Sequence, residues 1–208
     1  MPKKNAASQE AFIRDYLAGS ILTKVKVLET LVPGLEKAGH LLVESYLKGG
    51  KWMLFGNGGS AADAQHIAAE MVGRLYELER KGLAAIALTT DSSALTCVGN
   101  DYGYEQIFHR QVEALAKKGD VVLGISTSGK SPNVIKGLEL AKKLGCVTIA
   151  FSGKDGGPMA KNKAIDLCLT VPSDFTAHVQ EAQIAMGHIL CFIVERELLR
   201  RKHIKARK

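Results

Sequence analysis

Beyond residue 50 the chain alternates between two hydrophobic patterns. Short runs are apolar at nearly every position: "KWMLF" (51–55), "LAAIALT" (83–89), "DVVLGIS" (120–126), "CVTIAFSG" (146–153) and "DLCLTV" (166–171). Between and after them lie segments of helical period: "SAADAQHIAAEMVGRLY" (60–76), "YEQIFHRQVEALAKK" (104–118), "SPNVIKGLELAKKLG" (131–145), and a long one from near Phe175 past Glu195. A run that is apolar throughout is a strand buried on both faces, and strands alternating with helices build a parallel sheet covered on both sides. The pattern therefore predicts a three-layer α/β/α sandwich on a five-stranded parallel sheet. In such sheets ligands bind beyond the carboxyl ends of the strands, which directs attention to the loops after the first and third.

The first fifty residues read as helix. Leu22, Val25, Leu28, Leu31 and Val32 recur at helical spacing, followed by Leu35, Ala38, Leu41 and Leu42. Pro33 predicts a bend or a division of this stretch. With 208 residues there is room for one domain with a substantial core. The expected organisation is a single domain over 1–208, with N-terminal helices (1–50) packed on it or on a partner subunit and a basic tail (199–208).

Composition narrows the class. A hydrophobic fraction of 46% and a charged fraction of 24% are ordinary for a globular protein. No apolar run approaches the roughly 20 residues of a membrane helix, and no apolar segment follows the basic start, so no membrane association and a cytoplasmic location are expected. Cys97, Cys146, Cys168 and Cys191 form no C-x-x-C pair and read as reduced packing residues. The net charge of +7 is concentrated: the last nine residues, "RRKHIKARK", hold six Lys/Arg and no acid, which leaves 7 − 6 = +1 for the rest. That reads as a solvated helix end. No aromatic residue interleaves with these charges, which disfavours a nucleic-acid partner.

Two loops carry candidate chemistry. "GNGGSAAD" follows the first strand, and Asn57, Gly58 and Gly59 let backbone approach a ligand at a helix start, where free N–H groups bind anions or polarised oxygens. Its spacing is one residue type away from a dinucleotide fingerprint, since "GNGGSA" ends on Ala. The Ala variant keeps a nucleotide site open, but no convincing ribose-binding acid follows the second strand. "GISTSGKSPNV" follows the third strand. Ser126, Thr127, Ser128 and Ser131 put four hydroxyls before a helix whose first turn suits Pro132. A helix cap needs one hydroxyl; four make a phosphate cradle.

The helix after the first loop places His66 and Glu70 at i and i+4, with Arg74 continuing the row. Its other residues are mostly apolar, which predicts a largely buried helix in which a carboxylate and an imidazole need partners. The last helix offers Gln180, Ile184 and His188 at four-residue steps. Alone, His188 would read as a core histidine; beside these loops it becomes a candidate for the same site.

The combination "GNGGSAADAQHIAAE", "CVGND", "GISTSGKSPNVI", "SGKDGG" and "VQEAQIAMGHILC" closely resembles the phosphoheptose isomerases, over nearly all of residues 20 to 198. These are single-domain members of the sugar isomerase (SIS) fold, a flavodoxin-like arrangement with long N- and C-terminal helices. The resemblance implies an aldose–ketose isomerase acting on sedoheptulose 7-phosphate, a homotetramer with active sites where subunits meet, and zinc, one per subunit, in some members. It implies that Ser126, Thr127, Ser128 and Ser131 hold the phosphate, and that Asn57, Gly58, Gly59, Asn100, Asp101 and Gln180 line the sugar. It assigns His66, Glu70, Gln180 and His188 to the catalytic or metal cluster. Within that cluster Glu70 suits the base and His188 the second acid/base, since isomerisation moves a proton between adjacent carbons through an enediol. His178 and Lys130 depart from the family's common Arg and Asn. A related branch of the fold is a non-enzymatic regulator that binds the replication initiator protein; there the catalytic Glu and His are replaced, whereas this chain keeps both.

Overall fold

The computed structural model describes residues 8–75 and 80–204. In chain order the elements are α1 (Gln9–Thr30), α2 (Val32–Leu47), β1 (Trp52–Gly56), α3 (Gly59–Val72), β2 (Ala85–Ala87), α4 (Ser92–Tyr102), a 3-10 turn (Tyr104–Gln106), α5 (Ile107–Leu115), β3 (Val121–Ile125), α6 (Pro132–Lys143), β4 (Val147–Gly153), α7 (Gly157–Lys161), β5 (Leu167–Val171) and α8 (Thr176–Arg200). The strands form one parallel sheet in the order β2-β1-β3-β4-β5. The chain leaves β1 for β2 on one side and returns to β3 on the other. The topological switch point therefore lies between β1 and β3, where Gly56 pairs with Ile125.

The inner strands contribute to two cores by alternation. Trp52 and Leu54 of β1 join Leu123, Ile149, Phe151 and Val171 beneath α2, α3 and α8. Met53 and Phe55 face the other way, with Val122 and Ala150, beneath α5, α6 and α7. All five residues of β1 and of β3 are buried, which is why these runs are apolar throughout.

The structure corrects several sequence expectations. A helix over 92–102 and the short α7 were not predicted. α4 is started by Asp91, whose Oδ1 accepts from the Ala94 N–H at 2.9 Å, but none of its residues is fully buried, so its sequence shows no strong stripe. β2 is only Ala85–Ala87, because it is an edge strand with Ile86 exposed. α1 stops at Thr30 and α2 opens with Pro33 in its first turn, the division that proline predicts. Leu35, Ala38 and Leu42 are buried, but Leu22, Val25, Leu28 and Val32 are exposed on this chain. Indeed α1 turns Ser20 and Thr23 inward while Phe12, Ile13, Leu17 and Ile21 face out. The helical period was legible there; the side it would bury was not. Of the basic tail, residues 205–208 lie outside the described residues.

Candidate active site

The loop after β1 turns on Gly58, whose φ of +55° with ψ of −121° is a conformation natural only to glycine. α3 starts one residue later. Asn57 is fixed by a reciprocal amide pair with Asn133 of α6, each N–H donating to the other's oxygen at 2.9 Å. The Tyr104 hydroxyl donates to Asn57 Oδ1 at 3.1 Å. These bonds clamp the β1 loop to the start of α6 across the switch point. Asn100 and Asp101 sit exposed in the last turn of α4, joined to each other at 2.8 Å and followed by Tyr104, which reaches the β1 loop at Asn57.

The hydroxyls of the loop after β3 are not spent on capping its own helix. Ser131 occupies the N-cap position of α6, yet its hydroxyl makes no capping bond. It meets the Ser126 hydroxyl at 2.9 Å instead. Ser128 Oγ accepts from the Lys130 N–H at 3.3 Å, and Thr127 and Ser128 are half-buried. Gly129 has φ +63°, and a Cβ there would lie 2.0 Å from the Gly156 carbonyl oxygen, so both conformation and the close approach of the β3 and β4 loops require glycine. Lys130 is exposed.

The third component lies along the seam of α3 and α8. His66 Nε2 and His188 Nε2 are 2.9 Å apart, so one ring donates and the other accepts. His66 Nε2 is 3.3 Å from Glu70 Oε1. The donor atoms of His66, Glu70 and His188 all lie within 4.8 Å of one another. Two imidazole nitrogens and a carboxylate oxygen, converging from two helices, are a donor set that suits zinc. Gln180 lies farther along the seam: its amide Nε2 would be 2.1 Å from a Cβ on Gly59. It thus covers the first turn of α3, and among the described residues no hydrogen bond joins it to the trio.

Two expectations for α3 are revised. It is not largely buried: Ala64, Ile67, Ala68 and Met71 face the core, while Ala62, His66 and Ala69 are exposed. The row also ends before Arg74, because the helix stops at Val72 and Arg74 is an exposed loop residue. His178 does not face the reaction centre. Its ring lies against Gly19 of α1 between Tyr16 and Phe175, so that departure from the family pattern concerns the α1–α8 contact.

Asp63 was missed, although it lies on the same helical row as Gly59, His66 and Glu70. Burial pushes its carboxyl up to about 6 against the opposing pull of His66, and Oδ2 is buried with no hydrogen-bond partner among the described residues. An acid at one-turn spacing from His66 within an alanine-rich helix was the available signal.

A hydroxyl-rich loop at the switch point of a parallel sheet and a converging His66, Glu70 and His188 are an arrangement that suits a sugar-phosphate isomerase of the SIS fold. The SIS domain family model matches residues 15–153. The phosphoheptose isomerase of Aliarcobacter butzleri (strain RM4018) is 54% identical over 190 residues, covering 91% of this chain and 98% of that protein. Phosphoheptose isomerase 2 of Campylobacter jejuni is 51% identical over 190 residues, covering 90% and 93%. The solved structure of phosphoheptose isomerase GmhA from Neisseria gonorrhoeae aligns with a TM-score of 0.85 at 41% identity, over 91% of this chain and 100% of that one. The chain belongs to the phosphoheptose isomerase family and is a phosphosugar isomerase.

Proposed function

We propose that the enzyme converts sedoheptulose 7-phosphate into D-glycero-D-manno-heptose 7-phosphate, the entry step to activated heptose for cell-surface glycans such as lipopolysaccharide. The observation that carries this is the convergence of His66, Glu70 and His188 at the α3–α8 seam. The hydroxyls of Ser126, Thr127, Ser128 and Ser131 hold the phosphate, and the amides at the start of α6 face the same anion. Asn57, Gly58, Gly59, Asn100, Asp101 and Gln180 line the sugar. Glu70 takes the proton from C1 of the ketose and an enediol forms. Reprotonation at C2 gives the aldose, while His188 moves the proton between O1 and O2. His66, whose Nε2 pairs with His188 at 2.9 Å and lies 3.3 Å from Glu70 Oε1, orients them. The intact Glu70 and His188 favour an enzyme over the initiator-binding regulator.

His66, Glu70 and His188, with the Gln180 carbonyl, are the residues that would hold zinc, one per subunit. Bound there it would polarise the substrate oxygens and stabilise negative charge on the enediolate.

We also infer a homotetramer with active sites at subunit contacts. The outward apolar row of α1 supports it. That row continues into a groove of about 230 Å³ between Val27, Leu28, Val32, Ala185, Met186 and Ile189, beside His188. A second copy of the chain is the occupant such a continuous apolar surface fits. A cytoplasmic location agrees with four unpaired cysteines and with the finding that, among the described residues, no helix is long and apolar enough to cross a membrane.

The deciding experiment is conversion of sedoheptulose 7-phosphate, with product analysis, in chelator and with added zinc. Turnover lost in chelator and restored by zinc is expected. Absence of turnover under every metal condition would overturn the substrate reading.

A further inference from the structure

Arg80 lies outside every motif named above. Its side chain is 0% exposed and its partner Glu195 is 5% exposed. Arg80 Nε donates to Glu195 Oε2 at 2.6 Å. One terminal nitrogen donates to the Met71 carbonyl at 2.9 Å, and the other donates to the Glu70 carbonyl at 2.9 Å. Those two carbonyls belong to the last turn of α3, where a helix runs out of its own donors. That turn carries no basic side chain of its own; Arg80 supplies a cation there and a donor to the Glu70 carbonyl, and it shares the Met71 carbonyl with the Leu83 N–H, which donates at 2.9 Å.

The other end of this contact is on α8. Glu195 follows His188 by seven residues, two helical turns along the same face. Between them Cys191 is buried, its thiol pushed up to about 12 chiefly by burial. Arg80 and Glu195 are both withdrawn from the surface, where a hydrogen-bonded ion pair is electrostatically stronger than in water. Residue Glu70 thus has its carboxylate in the reaction centre and its carbonyl in the grip of Arg80.

We propose that Arg80 is a positioning residue. Through Glu195 it fixes the end of α3 against α8, and so sets the placement of Glu70 and His66 relative to His188. This rests on the reading of that trio as the reaction centre. Phosphate binding, on the far side of the switch point, does not depend on it.

The test compares Arg80→Lys, Glu195→Gln and the double variant Arg80→Met/Glu195→Leu. A buried ion pair replaced by apolar residues of similar size commonly keeps its stability, so the double variant separates positioning from stability. The readouts are melting temperature, kcat and KM for sedoheptulose 7-phosphate, and affinity for cobalt(II) followed by its visible absorption. The expected result is a double variant that melts near the wild type, with kcat and cobalt affinity each down about 10- to 100-fold and KM nearly unchanged. A double variant with native melting, kcat and cobalt affinity would overturn the proposal. If it does not fold, Arg80→Lys, which keeps the charge and loses the fork, decides by the same readouts. A wild type without turnover would defeat the substrate reading instead, and the cobalt titration alone would then decide the role of Arg80. A wild type without cobalt uptake leaves the decision to turnover.

Discussion

Gly187 precedes His188 at the point where α8 crosses α3, and Gly187→Ala tests whether that crossing sets the chemistry. A Cβ at 187 would lie 2.4 Å from Ile67 Cδ1 and 2.7 Å from Ile67 Cγ1. Carbon atoms rest at about 3.5–4.0 Å, so roughly 1 Å must be found. Ile67 is 0% exposed and enclosed by the larger core, so it has no open space to turn into. The helices must separate instead, and the 2.9 Å contact of His66 with His188 is the next interaction along the seam. Overpacking costs about 1–3 kcal/mol, and alanine over glycine in a helix returns about 1 kcal/mol. The net loss is about 0–2 kcal/mol, a fall in Tm of at most about 8 °C for a chain of this size. A misplacement of about 1 Å at a reaction centre costs about 100-fold in rate. The variant should therefore lose far more turnover than stability. Adding Ile67→Ala removes both opposing atoms and should recover at least about ten-fold in kcat, a coupling that a double-mutant cycle measures. A single variant with kcat within two-fold of wild type would refute the claim that this close crossing positions the histidines.

Other outcomes follow from the same geometry. Glu70→Gln keeps shape and removes the base, so turnover should fall about 10²–10⁴-fold while substrate remains bound by isothermal titration; near-native turnover would disprove the assignment. Ser131→Ala should raise KM with little change in urea midpoint, because its hydroxyl meets Ser126 and does not cap α6; a loss near the ~1 kcal/mol of a helix cap with KM unchanged would reverse that reading. Ser128→Ala should likewise raise KM with kcat largely retained in steady-state assays. Asp63→Asn addresses pH. The Asp63 carboxyl is raised from 3.8 to about 6, so the folded state holds its proton more tightly than the unfolded chain, and stability falls as pH rises through that window. A shift of 6 − 3.8 = 2.2 units corresponds to about 3 kcal/mol, and partial exposure reduces this to about 1 kcal/mol. The variant should therefore be the more stable protein above pH 6, with the difference vanishing near pH 4 in urea titrations; equal stability at pH 8 would exclude an ionisation penalty at Asp63.

The parallel sheet was legible because strands buried on both faces must be apolar at every position, as in Trp52–Phe55 and Val121–Ile125. The hydroxyl loop was legible for a related reason: Ser126, Thr127, Ser128 and Ser131 exceed what a helix start needs. The helical row of His66 and Glu70 was visible, but its meeting with His188 depends on a crossing 122 residues apart in sequence. Local periodicity carries no information about such a distance. α1 defeated the pattern in the opposite way. Most of its apolar residues face outward while Ser20 and Thr23 turn inward with Val27, so hydrophobicity there does not mark this chain's core. Arg80 and Asp63 were silent because a buried charge looks, in sequence, like any surface charge.

These failures share a cause that bears on function. The proposed phosphate cradle lies within six residues of one loop, Ser126 to Ser131, so it is visible in a linear reading. The acid–base trio is built from two helices, and its 2.9 and 3.3 Å contacts hold only if those helices keep their spacing. Three observations fix that spacing: Gly59 lies against Gln180, Gly187 against Ile67, and Arg80 bridges the end of α3 to Glu195. Two are missing side chains and one is a buried ion pair, so none announces itself as chemistry. The substrate's phosphate can thus be held by a rigid strand-to-helix turn while the reacting carbons meet groups whose placement is set along a separate seam. Substitutions at the seam should accordingly change kcat, substitutions in the cradle should change KM, and the two effects should add as independent sites do.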